Sequence, residues 1–227
     1  MNAAYVVASC KSWHKERYDR MLEEHGGEWY WVSSPSELMD CIRQARPRYV
    51  FFLHWNWIVP VEIWNKYECV CFHMTDVPYG RGGSPLQNLI LAGHSQTKLT
   101  ALKMVGEVDA GPVYTKKPLS LDGSAEEVYL RAGELSFEVI RWIVDAEPEP
   151  QEQQGEPTFF KRRKPDQSLL PEKSSSKEVY DFIRMLDAEG YPRAFIKYGD
   201  MRIEFSAAKL NPDGVSASVD IFFESEE

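Results

Sequence analysis

The chain has 227 residues, 43% of them hydrophobic and 27% charged, which is enough for one sizeable core or one core with a small appendage. With 26 Lys plus Arg against 35 Asp plus Glu its formal net charge is -9, so the molecule as a whole repels polyanions, and neither nucleic acid nor an anionic membrane is expected as a partner. Residues 1–9 carry no basic stretch ahead of their short apolar run, and nowhere do about 18 apolar residues follow one another, so a cytoplasmic protein that neither leaves the cell nor spans a membrane is expected. The apolar run Tyr5-Val6-Val7-Ala8 reads as a strand, followed by a loop and a helical segment ending at Gly26-Gly27. That strand-then-helix unit repeats. Trp29 to Val32 is a short aromatic strand, and Ser34-Pro35-Ser36-Glu37 supplies an N-cap, a proline at the first helical position and a glutamate three residues after the cap. Leu38, Met39, Ile42 and Ala45 form the apolar stripe of that helix. Residues 49–53 and 69–72 are continuous apolar runs, as strands covered on both faces would be.

From 99 to 114 the pattern is extended and broken at Gly106 and at Asp109-Ala110-Gly111, which predicts a hairpin. Ser124 and Glu127 form a capping box ahead of a long helix reaching about Ala146. A polar, Pro- and Glu-rich stretch follows, with Phe159, Phe160, Leu169 and Leu170 as its few apolar anchors. A short helix over 178–186 and strands over 195–198, 201–205 and 215–223 close the chain. The fold class expected is therefore α/β, a Rossmann-like, mostly parallel sheet with helices on both faces, plus a small C-terminal α+β subdomain. The boundaries follow composition: a main domain over 1–150, a linker over 151–176 and a subdomain over 177–227. Four cysteines, Cys10, Cys41, Cys69 and Cys71, are too few to staple such a chain and are expected to be reduced.

In an open α/β sheet, chemistry gathers at the strand C-terminal ends. There, right after a buried strand, stands Phe72-His73-Met74-Thr75-Asp76-Val77-Pro78-Tyr79-Gly80-Arg81-Gly82-Gly83-Ser84-Pro85, which places a histidine where a general base has access to a substrate. Asp109, in the downstream turn, could return to the sheet edge and orient that imidazole. Taken singly, each is open to a plainer reading, a packed histidine and an ordinary turn. No phosphate-binding glycine loop is present, and no His and Cys set has metal-ligand spacing, so no metal is expected.

The segment from His73 to Pro85 resembles the signature H-x-S-x-L-P-x-Y-R-G-x-x-P of the folate-dependent formyltransferases, with His73, Thr75, Val77, Pro78, Arg81, Gly82 and Pro85 in matching slots. Asp109-Ala110-Gly111 matches the family's D-x-G, and the segments after it resemble the sugar N-formyltransferase branch. The resemblance implies 10-formyltetrahydrofolate as cosubstrate, and it implies His73 as the base with Asp109 supporting it. The family's asparagine slot two residues before the histidine holds Cys71, a weak donor, so Asn56 in the loop after the third strand is the candidate to hold the formyl oxygen. A turn-forming asparagine is the other reading of that residue. The resemblance assigns the pterin to Trp55, Trp57, Ile58 and Val59 and to Met104, Val105, Gly106 and Val108. The acceptor side falls to Lys11, Trp13, Thr75, Tyr79, Arg81 and Gly82. The acidic charge and short tail favour a nucleotide-linked amino sugar as acceptor and argue against nucleic acid. An aminoacyl carrier, an aminoacyl-tRNA or water (a folate deformylase) are the alternatives, and a homodimer is left open.

Overall fold

The computed structural model describes residues 3–223, so the outer limits of the two expected domains, 1 and 227, lie outside the described residues. The chain opens with β1 (Ala4–Ala8), α1 (Lys15–Glu24), β2 (Glu28–Val32), α2 (Pro35–Ala45), β3 (Tyr49–Phe52), α3 (Val61–Trp64) and β4 (Glu68–His73). There follow β5 (Arg81–Gly82), α4 (Pro85–Leu91), β6 (Gln96–Lys103), β7 (Val113–Ser120) and α5 (Ala125–Ala146). After these come β8 (Phe159–Phe160), α6 (Ser176–Arg184), β9 (Ala194–Tyr198), β10 (Met201–Asn211) and β11 (Gly214–Phe223). The described chain forms two compact units, each discontinuous in sequence. One holds the residues up to Gly82 with Lys98–Leu119 and Leu130–Phe159; the other holds Gly83–Thr97, Ser120–Tyr129 and the residues from Phe160 onward.

The first unit is built on a sheet of order β2-β1-β3-β4-β6-β7. β2, β1, β3 and β4 run parallel, and β6 pairs antiparallel with β4. Side chains alternate across a strand, so an unbroken apolar run serves two cores. Tyr5, Val7, Phe51 and Val70 face Tyr18 and Met21 of α1 and Phe137, Ile140 and Ile143 of α5. Their neighbours Val6, Ala8, Val50, Phe52 and Cys69 face Leu38 and Ile42 of α2 and Ile63 of α3. Each fully buried side chain of this size contributes ~2 kcal/mol of burial. The doubly covered, mostly parallel sheet is thus the one expected from the sequence.

Local differences have local causes. At α2, Ser34 caps the Glu37 N–H (3.3 Å), but the Glu37 carboxylate reaches past the cap to the Ser33 N–H and hydroxyl (2.6 and 2.9 Å) instead of closing the box. The Ser124 and Glu127 box closes in both directions, at 2.7 and 3.2 Å. α6 begins at Ser176, two residues before the expected start, because Ser175 and Glu178 form a second such box. The hairpin is longer than expected and its loop spans 104–112; β7 tolerates Pro118 since it lies at the sheet edge, where a missing N–H costs no ladder bond. The stretch expected as a linker is hydrogen-bonded at its start: Gln151 and Val113 exchange both backbone bonds (2.7 and 2.9 Å), and the Thr158 N–H reaches the Pro78 carbonyl (3.0 Å).

The second unit carries an antiparallel sheet of order β11-β10-β9, against which α6 packs. Its strands match the three expected ones, with β10 running on to Asn211 across an irregularity between Ser206 and Lys209. The buried Arg184 guanidinium donates to Asp181 (2.6 Å) and to the Leu121 and Gly123 carbonyls (2.6 and 2.9 Å), which satisfies a cation that would otherwise be costly to bury.

Candidate active site

β4 ends at His73, whose ring is buried beneath the loop that follows. The Nδ1 atom lies 3.4 Å from Asp109 Oδ2, and Nε2 donates to the Gly80 carbonyl at 2.9 Å. A carbonyl only accepts, so this arrangement places a hydrogen on Nε2. Asp109 is itself held: Gly82, whose φ of 102° turns its amide inward, donates to Oδ2 at 2.9 Å. Asp109 adopts φ 53°, in the left-handed region. Gly111 two residues on is required by space, because a Cβ there would stand 1.8 Å from the Lys103 carbonyl oxygen at the end of β6. The two residues that the sequence pairs for acid–base chemistry are therefore brought together, 36 positions apart in the chain, by the return of the β6–β7 loop.

Thr75 and Arg81, expected beside the acceptor, are buried and turned to the loop itself. Thr75 Oγ1 donates to the Gly80 carbonyl (3.3 Å), while its own carbonyl accepts from Thr100 (2.6 Å). Arg81 binds the Gln153 side-chain oxygen through Nε and Nη2 (3.2 and 2.9 Å) and Glu107 through Nη1 (3.2 Å). Tyr79 is half-buried, and its N–H closes a turn on the Asp76 carbonyl at 3.1 Å. Gln153, Glu107 and Thr158 are the members that sequence reasoning missed; Gln153 and Thr158 lie in a stretch whose composition looks like solvated linker.

Among the residues expected at the pterin, Trp55 and Met104 pack against the second core cluster and Val59 is buried within it. A Cβ on Gly106 would meet the Trp64 ring in ordinary contact at 3.6 Å. Trp57, Ile58, Val105 and Val108 are exposed, Ile58 at 96%. Asn56 is exposed in the loop after β3, the strand beside β4. A cleft of about 720 Å³ beside the D-x-G turn has Arg48, Glu68, Lys103 and Glu107 in its wall and, of these pterin candidates, Val105. Cys71 donates weakly to the Leu102 carbonyl at 3.7 Å, and burial, with Asp109 adding, pushes its thiol far up, so it stays protonated and inert. Among the described residues no three His, Cys, Asp or Glu side chains gather to hold a metal ion, and no helix is long and apolar enough to cross a membrane.

Lys11 and Trp13 form a second polar group after β1. The Lys11 ammonium sits 4.9 Å over the Trp13 ring, whose Nε1 donates to His14 Nε2 at 3.3 Å. His14 Nε2 in turn lies 2.9 Å from His54 Nδ1 in the loop after β3. Burial lowers His14 to about 2, with the charges of His54, Arg17 and Lys11 adding, and lowers His54 to about 4, with Lys11 adding. Both values fall below the ordinary 6.5, so the unfolded chain binds more protons than the folded one on the acid side. The stability this pair protects is present above pH 6.5 and is lost as pH falls toward the folded values. Urea unfolding should therefore show stability falling below pH 6.5 by ~1.4 kcal/mol per pH unit for each imidazole, and His14→Asn should remove one imidazole's share of that slope. An unchanged slope in the variant would refute this account.

Several known proteins are similar to this chain. A family model described as "Methionyl-tRNA formyltransferase, C-terminal domain" matches residues 165–222. A methionyl-tRNA formyltransferase structure from Clostridium thermocellum is 42% identical, with a TM-score of 0.94, over 97% of this chain and 99% of that one. The chain belongs to the folate-dependent formyltransferase family. A curated methionyl-tRNA formyltransferase from Francisella philomiragia is 28% identical over 200 residues, 82% of this chain and 62% of that protein, so the chain spans about three-fifths of its length. A sugar N-formyltransferase from Shewanella is 14% identical with a TM-score of 0.65, over 99% of this chain and 98% of that one, a likeness of fold alone. These relatives overturn two expectations, the sugar branch with its nucleotide-linked amino sugar acceptor and the exclusion of nucleic acid. The reason is physical: net charge is a sum over the whole molecule, whereas a polyanion meets a local surface.

Proposed function

We propose that this protein is an N-formyltransferase that moves the formyl group of 10-formyltetrahydrofolate onto the amine of an aminoacyl-tRNA, with methionyl-tRNA as the acceptor class. The observation that carries the reading is the buried His73 imidazole with Nδ1 set 3.4 Å from the Asp109 carboxylate at the end of β4. The folate supplies a formyl carbon carried on N10. His73 accepts the amine proton as the new C–N bond forms and returns it to N10 as the old bond breaks, so protons balance across the transfer. Asp109 orients the ring and supports the imidazolium formed in between. In the resting loop Nε2 holds its hydrogen for the Gly80 carbonyl; to take the amine proton the ring adopts the other tautomer, with its hydrogen on Nδ1 facing Asp109, and Nε2 leaves Gly80 for the reacting groups. The developing charge on the formyl oxygen calls for an aimed donor, and Asn56, on the loop of the neighbouring strand, is the candidate. Exposed Trp57, Ile58, Val105 and Val108 offer apolar surface suited to a flat heterocycle. A reduced folate and a charged tRNA as substrates are in keeping with a cytoplasmic enzyme.

The test is to supply 10-formyltetrahydrofolate with methionyl-tRNA, with a nucleotide amino sugar, or with water alone. Recovery of methionine heavier by ~28 Da, one formyl in place of hydrogen, is the expected result. Formylation of the amino sugar alone, or formate released without an acceptor, would refute the reading.

A further inference from the structure

Gln153 divides the polar valences of its side-chain amide between Arg81 and the loop that carries Asp109. Its oxygen accepts two N–H groups from Arg81, at 3.2 and 2.9 Å. Its nitrogen donates to the Asp109 carbonyl and to the Gly111 carbonyl, both at 2.8 Å. It is half-buried between exposed neighbours, and the backbone exchange between Gln151 and Val113, at 2.7 and 2.9 Å, fixes where the side chain starts. An amide is the one side-chain group that both accepts from a guanidinium and donates to two carbonyls; a carboxylate of the same length keeps the first function and opposes the second. Asp109, at φ 53°, sits where a side chain is uncommon, so the surrounding contacts must hold it there. Arg81, 9% exposed and ion-paired to Glu107 through Nη1, places its Nε and Nη2 hydrogens on the same bridge from the other side.

We infer that Gln153 is a positioning residue for the His73–Asp109 pair, locking the Asp109 turn to the Arg81 loop so that the carboxylate stays on Nδ1. The inference rests on the formyl-transfer reading for its kinetic arm alone. Gln153→Ala should lower kcat ~10-fold or more with KM for donor and acceptor within ~3-fold. Gln153→Glu, which keeps the Arg81 partner and the fold but cannot donate to the two carbonyls, should be no faster. Because the effect runs through the carboxylate, adding Gln153→Ala to Asp109→Asn should slow turnover by less than ~3-fold further, whereas a general loss of structure would multiply the two effects. The arm independent of turnover uses 15N-histidine-labelled protein, in which the His73 ring resonances should move in Gln153→Ala as they do in Asp109→Asn. Wild-type kcat in Gln153→Glu, multiplicative effects in the double variant or unmoved His73 resonances would each overturn the inference. A wild-type protein inactive in formyl transfer, with the resonances moving as stated, would overturn the functional reading and leave Gln153 in this role.

Discussion

Replacing His73 by Ala should slow formyl transfer by ~10²-fold or more, and Asp109→Asn should do the same, as follows from the proposal that the two work as one acid–base unit. Asn keeps the volume of Asp and leaves an oxygen for the Gly82 N–H, which approaches at 2.9 Å, so its defect isolates the lost charge opposite Nδ1. The setting amplifies that charge, since the His73 side chain is 9% exposed and that of Asp109 15%, and an ion at 3.4 Å acts more strongly there than in water. Folate binding, measured separately by titration, should change little in either variant. The double variant should be little slower than the worse of the two, as expected when residues share one step. Turnover near wild type in either single variant would remove the pair from the mechanism.

The second large effect is on stability. Gly111→Ala puts a methyl where 1.8 Å separates its carbon from the Lys103 carbonyl oxygen, and a backbone atom at the end of β6 cannot swing aside as a side-chain tip can. The strand end and the loop must separate, which strains the Lys103 N–H bond to the Pro112 carbonyl (2.8 Å) and pulls Asp109 off the imidazole. A loss of ~3 kcal/mol or more is expected, the range of severe overpacking and broken backbone contacts. Gly106→Ala in the same loop is the control, since its added carbon meets the Trp64 ring at 3.6 Å, an ordinary contact. Urea midpoints decide the matter: equal midpoints for Gly111→Ala and wild type would show that the close approach is not required.

The sequence by itself determined the sheet and half of the candidate site. Continuous apolar runs at β1, β3 and β4 require cover on both faces, and alternation alone assigns Val6 and Val7 to opposite cores. His73 was legible because it ends such a run, and Asp109-Ala110-Gly111 because its turn chemistry and its family match coincide. These are local features, carried by spacing within a dozen residues. Only the tertiary structure decided that residues 151–158 are part of the first unit, since a polar stretch held by backbone exchange, such as Gln151 with Val113, has the composition of one left in solvent. It likewise turned Thr75 and Arg81 inward, and it set Gln153 against both Arg81 and the Asp109 turn. Hydrogen bonds between residues 72 or 44 positions apart leave no periodic trace in the chain. Periodicity records which face of an element is buried, whereas the partner a polar group meets there is fixed when the elements close on one another.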